Sequence, residues 1–272
     1  MLSLVRKETI KNQLLEKRSV SVKELSQLMN VTEETIRRDL KDLENDGIAM
    51  RTHGGAVLKT KVMSSFTCSE LKPLLKENKM AMAELAKQYL ANGLCIFLDA
   101  STTVHEIVRL LDDYHVTVVT NSLDVITECS GNPNITLIGL GGTFNSKHRS
   151  FNGSMTKELL SHIYFDIIFF SCRTLSMESG FAESDEEEAE LKRLATEHAR
   201  QRIALVDHTK FDAVSFIKIC DVDGVNAILT DTQPSEAWTH FVRSHNVKLQ
   251  IAEQELPDFH LSIQTENLEH KE

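Results

Sequence analysis

Three absences narrow the class of this 272-residue chain. Its five cysteines, at positions 68, 95, 129, 172 and 220, are odd in number, widely spaced and form no C-x-x-C pair. That argues against a disulfide frame or a metal site and for reduced cytosolic thiols, mostly buried, with a redox-sensing role for Cys172 as the alternative. No apolar run approaches the roughly 18 residues of a membrane-spanning helix, and no charged leader followed by an apolar core opens the chain. A cytoplasmic protein with neither signal peptide nor membrane partner is expected. An overall positive charge is also missing: 30 Lys+Arg face 40 Asp+Glu, a net charge of −10. No internal repeat is visible. With 41% apolar residues, a chain of this length buries a substantial core and suggests two domains.

The acidity is unevenly placed. Residues 1–61 hold 12 Lys+Arg and 9 Asp+Glu, whereas the remainder holds 18 and 31. A small basic module therefore stands apart from an acidic body that repels phosphate.

Within the basic module, residues 21–57 carry the most information. Ser21 and Glu24 have the S-x-x-E spacing of a capping box, and Val22, Leu25, Leu28 and Met29 share one helical face. A short turn around Asn30 and Val31 leads to Thr32, a good N-cap for a second helix. There Ile36, Leu40 and Leu43 fall at i, i+4 and i+7 and point inward. Glu34, Thr35, Arg38 and Lys41 face outward, with Arg37 on the flank. Gly47 sits where helices end in the left-handed conformation. Ile48 to Arg51 read as a strand, Gly54-Gly55 as a hairpin tip, and Ala56 onward as the return strand.

That layout is a winged helix-turn-helix, and its expected partner is double-stranded operator DNA. A recognition helix offers long donors to base edges and cations to phosphates. Thr35 and Arg38 are the candidates for base edges and Arg37 and Lys41 for the backbone. Thr32, Arg51 and His53 complete the expected DNA-binding set. A charged solvent face on a small helical bundle is the bland alternative, and the hairpin placed directly after the arginine helix argues against it.

The run from Arg6 through Ala56 resembles the N-terminal domain of the DeoR family of bacterial transcriptional regulators. The resemblance rests on Arg6, Ile10, Leu14, Val22, Glu24-Leu25, Val31, Thr35-Ile36-Arg37-Arg38-Asp39-Leu40, Leu43, Gly47, Arg51 and His53-Gly54-Gly55-Ala56.

The expected domain plan is a winged helix-turn-helix over 1–57, a linker with one short helix over 58–77, an α/β effector-sensing domain over 78–256 and a polar tail over 257–272. From Asn78 the pattern alternates. Strands are expected at 94–98, 116–120, 135–140, 165–170, 203–206, 225–229 and 247–251. Helices are expected at 79–91, 104–111, 123–129, 155–162, 186–201 and 235–244. Runs rich in Val and Ile between helices imply a doubly wound, mainly parallel sheet covered on both faces.

In open α/β sheets ligands lie beyond the carboxyl ends of the strands. Those ends supply Asp99-Ala100-Ser101-Thr102-Thr103, Asn121-Ser122, Gly139 with Gly141-Gly142, Ser171-Cys172-Arg173-Thr174 and Asp207 to Lys210. The Asp99–Thr103 segment runs from a strand into hydroxyl residues at a helix start, where free N–H groups and the helix dipole favour an anion such as phosphate. Ser101, Thr102 and Thr103 add hydroxyl donors, Asp99 is placed to accept from a sugar hydroxyl, and Lys210 supplies positive charge. Ser and Thr that merely cap a helix are the competing explanation.

The resemblance to the DeoR family now extends over nearly the whole chain. The family's C-terminal domain is similar to sugar-phosphate isomerase folds and shows D-x-G-T-T, T-N-S, G-G and D-x-[ST]-K-F, matched here by Asp99–Thr103, Thr120-Asn121-Ser122, Gly141-Gly142 and Asp207–Phe211. The run Glu187–Arg193 matches the helix after the family's loop, here Gly180–Glu183. The resemblance implies a phosphorylated sugar effector that alters operator affinity. Its expected contacts are Asp99, Ser101, Thr102, Thr103, Asn121, Ser122, Gly142, Ser171, Arg173 and Lys210. Ser101, Ser171 and Thr174 stand where the family pattern often has glycine.

The leading expectation is thus a transcriptional regulator of a carbohydrate-utilisation operon, a repressor working as at least a homodimer. No catalytic residues, metal or cofactor are expected. A sugar-phosphate isomerase-like enzyme built on Asp99, Asp207 and Lys210, and a DNA-binding protein without a small effector, are the alternatives.

Overall fold

A computed structural model describes residues 2–17, 19–58 and 67–252. The expected polar tail and the start of the linker lie outside these residues.

The N-terminal head contains helix α1 (Ser3–Lys17), strand β1 (Ser19–Ser21), helices α2 (Val22–Met29) and α3 (Glu33–Asn45), and strands β2 (Ala49–Thr52) and β3 (Gly55–Leu58). Its core joins Ile10 and Leu14 to Val22, Leu25, Met29, Ile36, Leu40, Leu43, Ala49 and Ala56. Leu28, expected on the inner face, is 66% exposed. At about 100° per residue it lies roughly 90° from the centre of the Val22–Leu25–Met29 stripe, so it falls on the rim.

The two helix starts are capped as their residues predict, with one difference. Thr32 Oγ1 accepts from the Thr35 N–H at 3.3 Å and Ser21 Oγ from the Glu24 N–H at 3.5 Å. The reciprocal arm of a capping box is formed instead by Thr67 and Glu70, at the start of α4 (Cys68–Leu71). The hairpin turn is also displaced by one residue. Thr52 pairs with Gly55, so His53-Gly54 form the tip and Gly55 lies inside β3. Gly55 is required because a Cβ there would stand 1.8 Å from the Val20 carbonyl oxygen of β1. β3 therefore lies between β1 and β2 in a three-stranded sheet.

Beyond α4, helix α5 (Lys76–Ala86) leads into the α/β body. Its strands begin with β4 (Cys95–Leu98), β5 (Val116–Thr120), β6 (Ile135–Gly139), β7 (Thr143–Asn145) and β8 (Ser150–Asn152). They continue with β9 (Phe165–Phe170), β10 (Thr174–Ser176), β11 (Gly180–Glu183), β12 (Ala199–Leu205), β13 (Ile217–Cys220), β14 (Ala227–Thr230) and β15 (Lys248–Ile251). The helices are α6 (Leu123–Cys129), α7 (Ser154–Ser161), α8 (Glu186–Glu197) and α9 (Glu236–Ser244), with a 3₁₀ helix at Val104–Asp113. Seven strands form a fully parallel sheet in the order β15-β14-β12-β9-β4-β5-β6.

Alternating side chains divide the core between the two faces of this sheet. Phe97, Ile168, Phe170 and Ala204 pack on one side, and Ile96, Leu98, Ile167, Phe169 and Ile203 on the other. Burying each large apolar side chain contributes about 1.5–3 kcal/mol.

Two expectations are corrected here, and one sheet is added. Val104–Asp113 is a 3₁₀ helix, because apolar spacing of three to four residues does not separate tight from ordinary helical turns. The helix expected through Gln201 ends at Glu197, and Ala199 already pairs with Phe165. The antiparallel sheet β10-β11-β13 was not anticipated, since its strands are only three or four residues long.

Candidate functional site

On the head, α3 projects Arg38 and Lys41 into solvent, and among the described residues neither is in a salt bridge. Arg37 is also exposed, but its guanidinium contacts Glu33 at 2.6 Å and Glu34 at 3.9 Å. The half-buried Thr35 shares a hydroxyl–hydroxyl bond of 2.9 Å with the exposed Thr32. Arg51 and His53 are exposed on the wing, whose backbone is tied to α3 by the Arg51 N–H donating to Glu44 at 3.0 Å. Asp39, next along α3, is buried against Arg6 of α1, whose guanidinium makes contacts at 2.5 and 3.1 Å. The carboxylate raises the guanidinium pKa further, mainly through that hydrogen bond, so Arg6 stays charged.

In the body, strand order reverses between β4 and β9, the two strands flanking the switch point of the sheet. A cavity of about 90 Å³ opens beside it, lined by Ser101, Thr102, Thr103, Arg173, Lys210, Asp207, Thr209, Glu183, Cys172, Lys79, Leu71, Leu74 and Leu75. Five of the expected effector contacts (Ser101, Thr102, Thr103, Arg173 and Lys210) therefore meet in one place. Ser101 Oγ accepts from the Val104 N–H at 3.2 Å, so this hydroxyl also caps the helix.

Three cations face the cavity. Lys210 is held by Asp207 at 3.2 Å and donates to Ser171 Oγ at 2.7 Å. Asp207 stays ionised: burial opposes its charge, but Lys210 and the Thr209 hydroxyl hold its carboxyl below the usual range. Arg173 is half-buried, and its Nε has no partner among the described residues. Lys79, which the sequence did not single out, is buried and donates to the Leu71 carbonyl at 2.6 Å and Thr102 Oγ1 at 2.9 Å. Burial first, and then the neighbouring charge of Lys210, push its ammonium down to about 8. An incoming anion favours the charged form of this lysine.

Asp99 and Ser171 stand behind this surface rather than on it. Asp99 accepts from the N–H groups of Ser101 and Ser171, both at 2.9 Å, and lies 3.2 Å from Lys192. Its oxygens are thus occupied by the protein, not presented to a sugar hydroxyl. Lys192 of α8 also contacts Glu183 at 2.6 Å and donates to the Ser171 carbonyl at 2.9 Å. Burial alone would depress this lysine, yet Glu183, Asp99 and Glu188 together raise it, and it remains charged.

Asn121, Ser122 and Gly142 do not line the cavity. Ser122 caps α6 by accepting from the Val125 N–H at 3.3 Å. Asn121 donates to the Phe151 carbonyl and Asn152 Oδ1, both at 3.3 Å, tying β5 to the β7–β8 hairpin. Gly142 lets the backbone pass closely, since a Cβ there would meet Thr156 Oγ1 at 2.1 Å. In the same cluster Glu188, protonated more readily because it is buried, accepts from Ser150 at 2.5 Å and Asn152 at 2.8 Å.

Thr174 Oγ1 is buried without a partner among the described residues. The Cys172 thiol is buried and pushed up to about 12 by desolvation, so it has little of the thiolate that redox sensing needs.

Two family models match the chain. The DeoR-like helix-turn-helix domain matches residues 6–62, and the DeoR C terminal sensor domain matches residues 75–232. Similar proteins include the uncharacterized HTH-type transcriptional regulator YulB of Bacillus subtilis, 35% identical over 85% of this chain and 90% of that protein. The L-fucose operon activator of Haemophilus influenzae is 34% identical over 84% of this chain and 91% of its own length. The HTH-type transcriptional repressor GlcR of Bacillus subtilis is 31% identical over 87% and 91%. Among solved structures, ribose 5-phosphate isomerase A of Methanocaldococcus jannaschii matches 50% of this chain and 55% of its own at 15% identity and a TM-score of 0.38, a likeness too slight to bear on function.

Proposed function

The chain belongs to the DeoR family of transcriptional regulators, and we propose that it represses a carbohydrate-utilisation operon under the control of a phosphorylated sugar seated at Ser101–Thr103. It is a DNA-binding regulator with a sensor domain. The observation that carries the effector reading is the meeting of Lys79, Lys210 and Arg173 with three consecutive hydroxyl residues around one cavity. Charge-assisted donors of this kind suit a phosphate. The similarity to an L-fucose operon activator supports a carbohydrate signal.

In this reading Arg38 and Thr35 address base edges, while Arg37, Lys41, Arg51, His53 and Thr32 address the backbone or the groove edge. One such head buries too little for tight specific binding, so two copies act on half-sites related by two-fold symmetry. The protein works in the cytoplasm and catalyses nothing. Asp99 and Asp207, the carboxylates available for proton abstraction, are already engaged by Lys192 and Lys210.

Selection of duplexes from a random library, followed by a calorimetric screen of sugar phosphates, tests both halves. We expect a two-fold symmetric sequence and one phosphorylated sugar that changes affinity for it. Equal affinity for every duplex at low ionic strength would end the regulatory reading, and turnover of a sugar phosphate would revive the enzymatic one.

A further inference from the structure

The cavity that we read as the anion site is bordered on one side by Leu71, Leu74 and Leu75. Leu74 belongs at the same time to the buried core of the DNA-binding head, with Ile10, Leu14 and Ile36, and Leu71 packs against that core. One short segment therefore walls the sensor cavity and completes the reading head. Further bonds join this segment to both bodies. On the head side Lys11 of α1 contacts Glu70 at 2.9 Å. On the sensor side the Cys68 N–H donates to the Lys147 carbonyl at 2.8 Å, and Lys79 bridges the Leu71 carbonyl to the Thr102 hydroxyl. Leu75 has a left-handed backbone, φ 51°, where the segment turns into α5.

At about 90 Å³ the cavity is smaller than the roughly 300–1,000 Å³ of ordinary small-molecule sites. A phosphorylated sugar does not enter without displacing a wall. The Ser101–Thr103 wall follows directly from a buried strand of the central sheet, whereas the leucine wall is held to Thr102 by the ammonium of Lys79. We propose that residues 71–79 are the coupling element of the regulator. An anion at Ser101–Thr103 draws Lys79 from the Leu71 carbonyl, the leucine wall lifts about Leu75, and Leu74 leaves the head's core. The head then loses its fixed placement and its grip on paired half-sites. This mechanism rests on the anion-site reading above. By linkage, whatever loosens Leu74 from the head eases anion entry by the same factor.

Hydrogen exchange of the full chain, followed by mass spectrometry with and without inorganic phosphate, tests the coupling. In Lys79→Met without phosphate, peptides covering 67–75 and 3–17 should exchange at least tenfold faster than in the parent, while those of β9 and β12 stay unchanged. Phosphate should produce the same acceleration in the parent protein and add nothing in Lys79→Met. In Leu74→Ala phosphate should bind several-fold more tightly. If Lys79→Met unfolds the sheet as well, Thr102→Val removes one end of the bridge from the other side and should give the same pattern at smaller size. A variant that frees 67–75 yet leaves 3–17 at parental rates overturns the coupling and leaves the anion site untouched. A head that loosens in the variants, with residues 99–106 indifferent to phosphate, supports the mechanical link and overturns the anion site.

Discussion

Lys192 of α8 and Asp99 at the end of β4 stand 3.2 Å apart although 93 residues separate them in the chain, and both are almost fully buried. Glu183, at the cavity wall, completes a charged triad. Removing the lysine leaves two buried carboxylates without their counter-charge. Lys192→Met should therefore lower unfolding stability by about 3–5 kcal/mol in urea titrations monitored by circular dichroism. A loss below about 1 kcal/mol would mean that solvent reaches the triad.

Arg38 reaches solvent without a carboxylate partner among the described residues, whereas Arg37 is engaged by Glu33. Arg38→Ala should cost about 1–3 kcal/mol on the selected operator and flatten preference at one base position. Quantitative gel-shift titrations against single-base variants of the operator measure this. Equal weakening on all of them would place Arg38 on a phosphate instead.

Thr102 faces the cavity and bonds to Lys79. Thr102→Glu sets a negative charge where the phosphate is expected. Sugar phosphate should no longer alter the operator affinity of this variant in fluorescence anisotropy. A retained response would show that the anion binds elsewhere.

The buried Lys79 gives the effector site a defined pH dependence. Its ammonium is depressed to about 8 by burial and by Lys210, against the opposing charges of Asp207 and Glu106 and of Cys68 when ionised. A bound phosphate favours the charged form and raises that value. Below pH 8 the lysine is already protonated and affinity is level. As pH rises through 8 toward the bound-state value, binding takes up a proton and affinity falls by up to about tenfold per unit. Calorimetry between pH 7.5 and 9.5 avoids the second phosphate ionisation near pH 6. Lys79→Arg keeps its charge throughout and should remove the slope. A slope that persists in Lys79→Arg would assign it to another group.

Much of the architecture was legible because buried parallel strands are continuous apolar runs. The strands Val116–Thr120 and Phe165–Phe170 have the limits that their residues suggest, as does the helix Leu123–Cys129. β12 was cut short because its first half, Ala199-Arg200-Gln201-Arg202, carries charge where it passes through the half-exposed end of the sheet. The hydroxyl segment Ser101–Thr103 was legible as a strand-to-helix turn. Lys79 and Lys192 were not, since a lysine within a helix ordinarily marks a solvated face. Their burial depends on partners outside their own helices: Thr102 for the first, Asp99 and Glu183 for the second. Asn121 and Gly142 carry polar or glycine signals that a ligand contact and a tight packing contact share, so only the fold separates the two.

The buried Arg6–Asp39 pair anchors α3 to α1. On the reading proposed above, orientation and address fall to different residues of one helix. If positions 35, 37, 38 and 41 read the operator as proposed, a head recoded there for a foreign promoter should keep its docking angle.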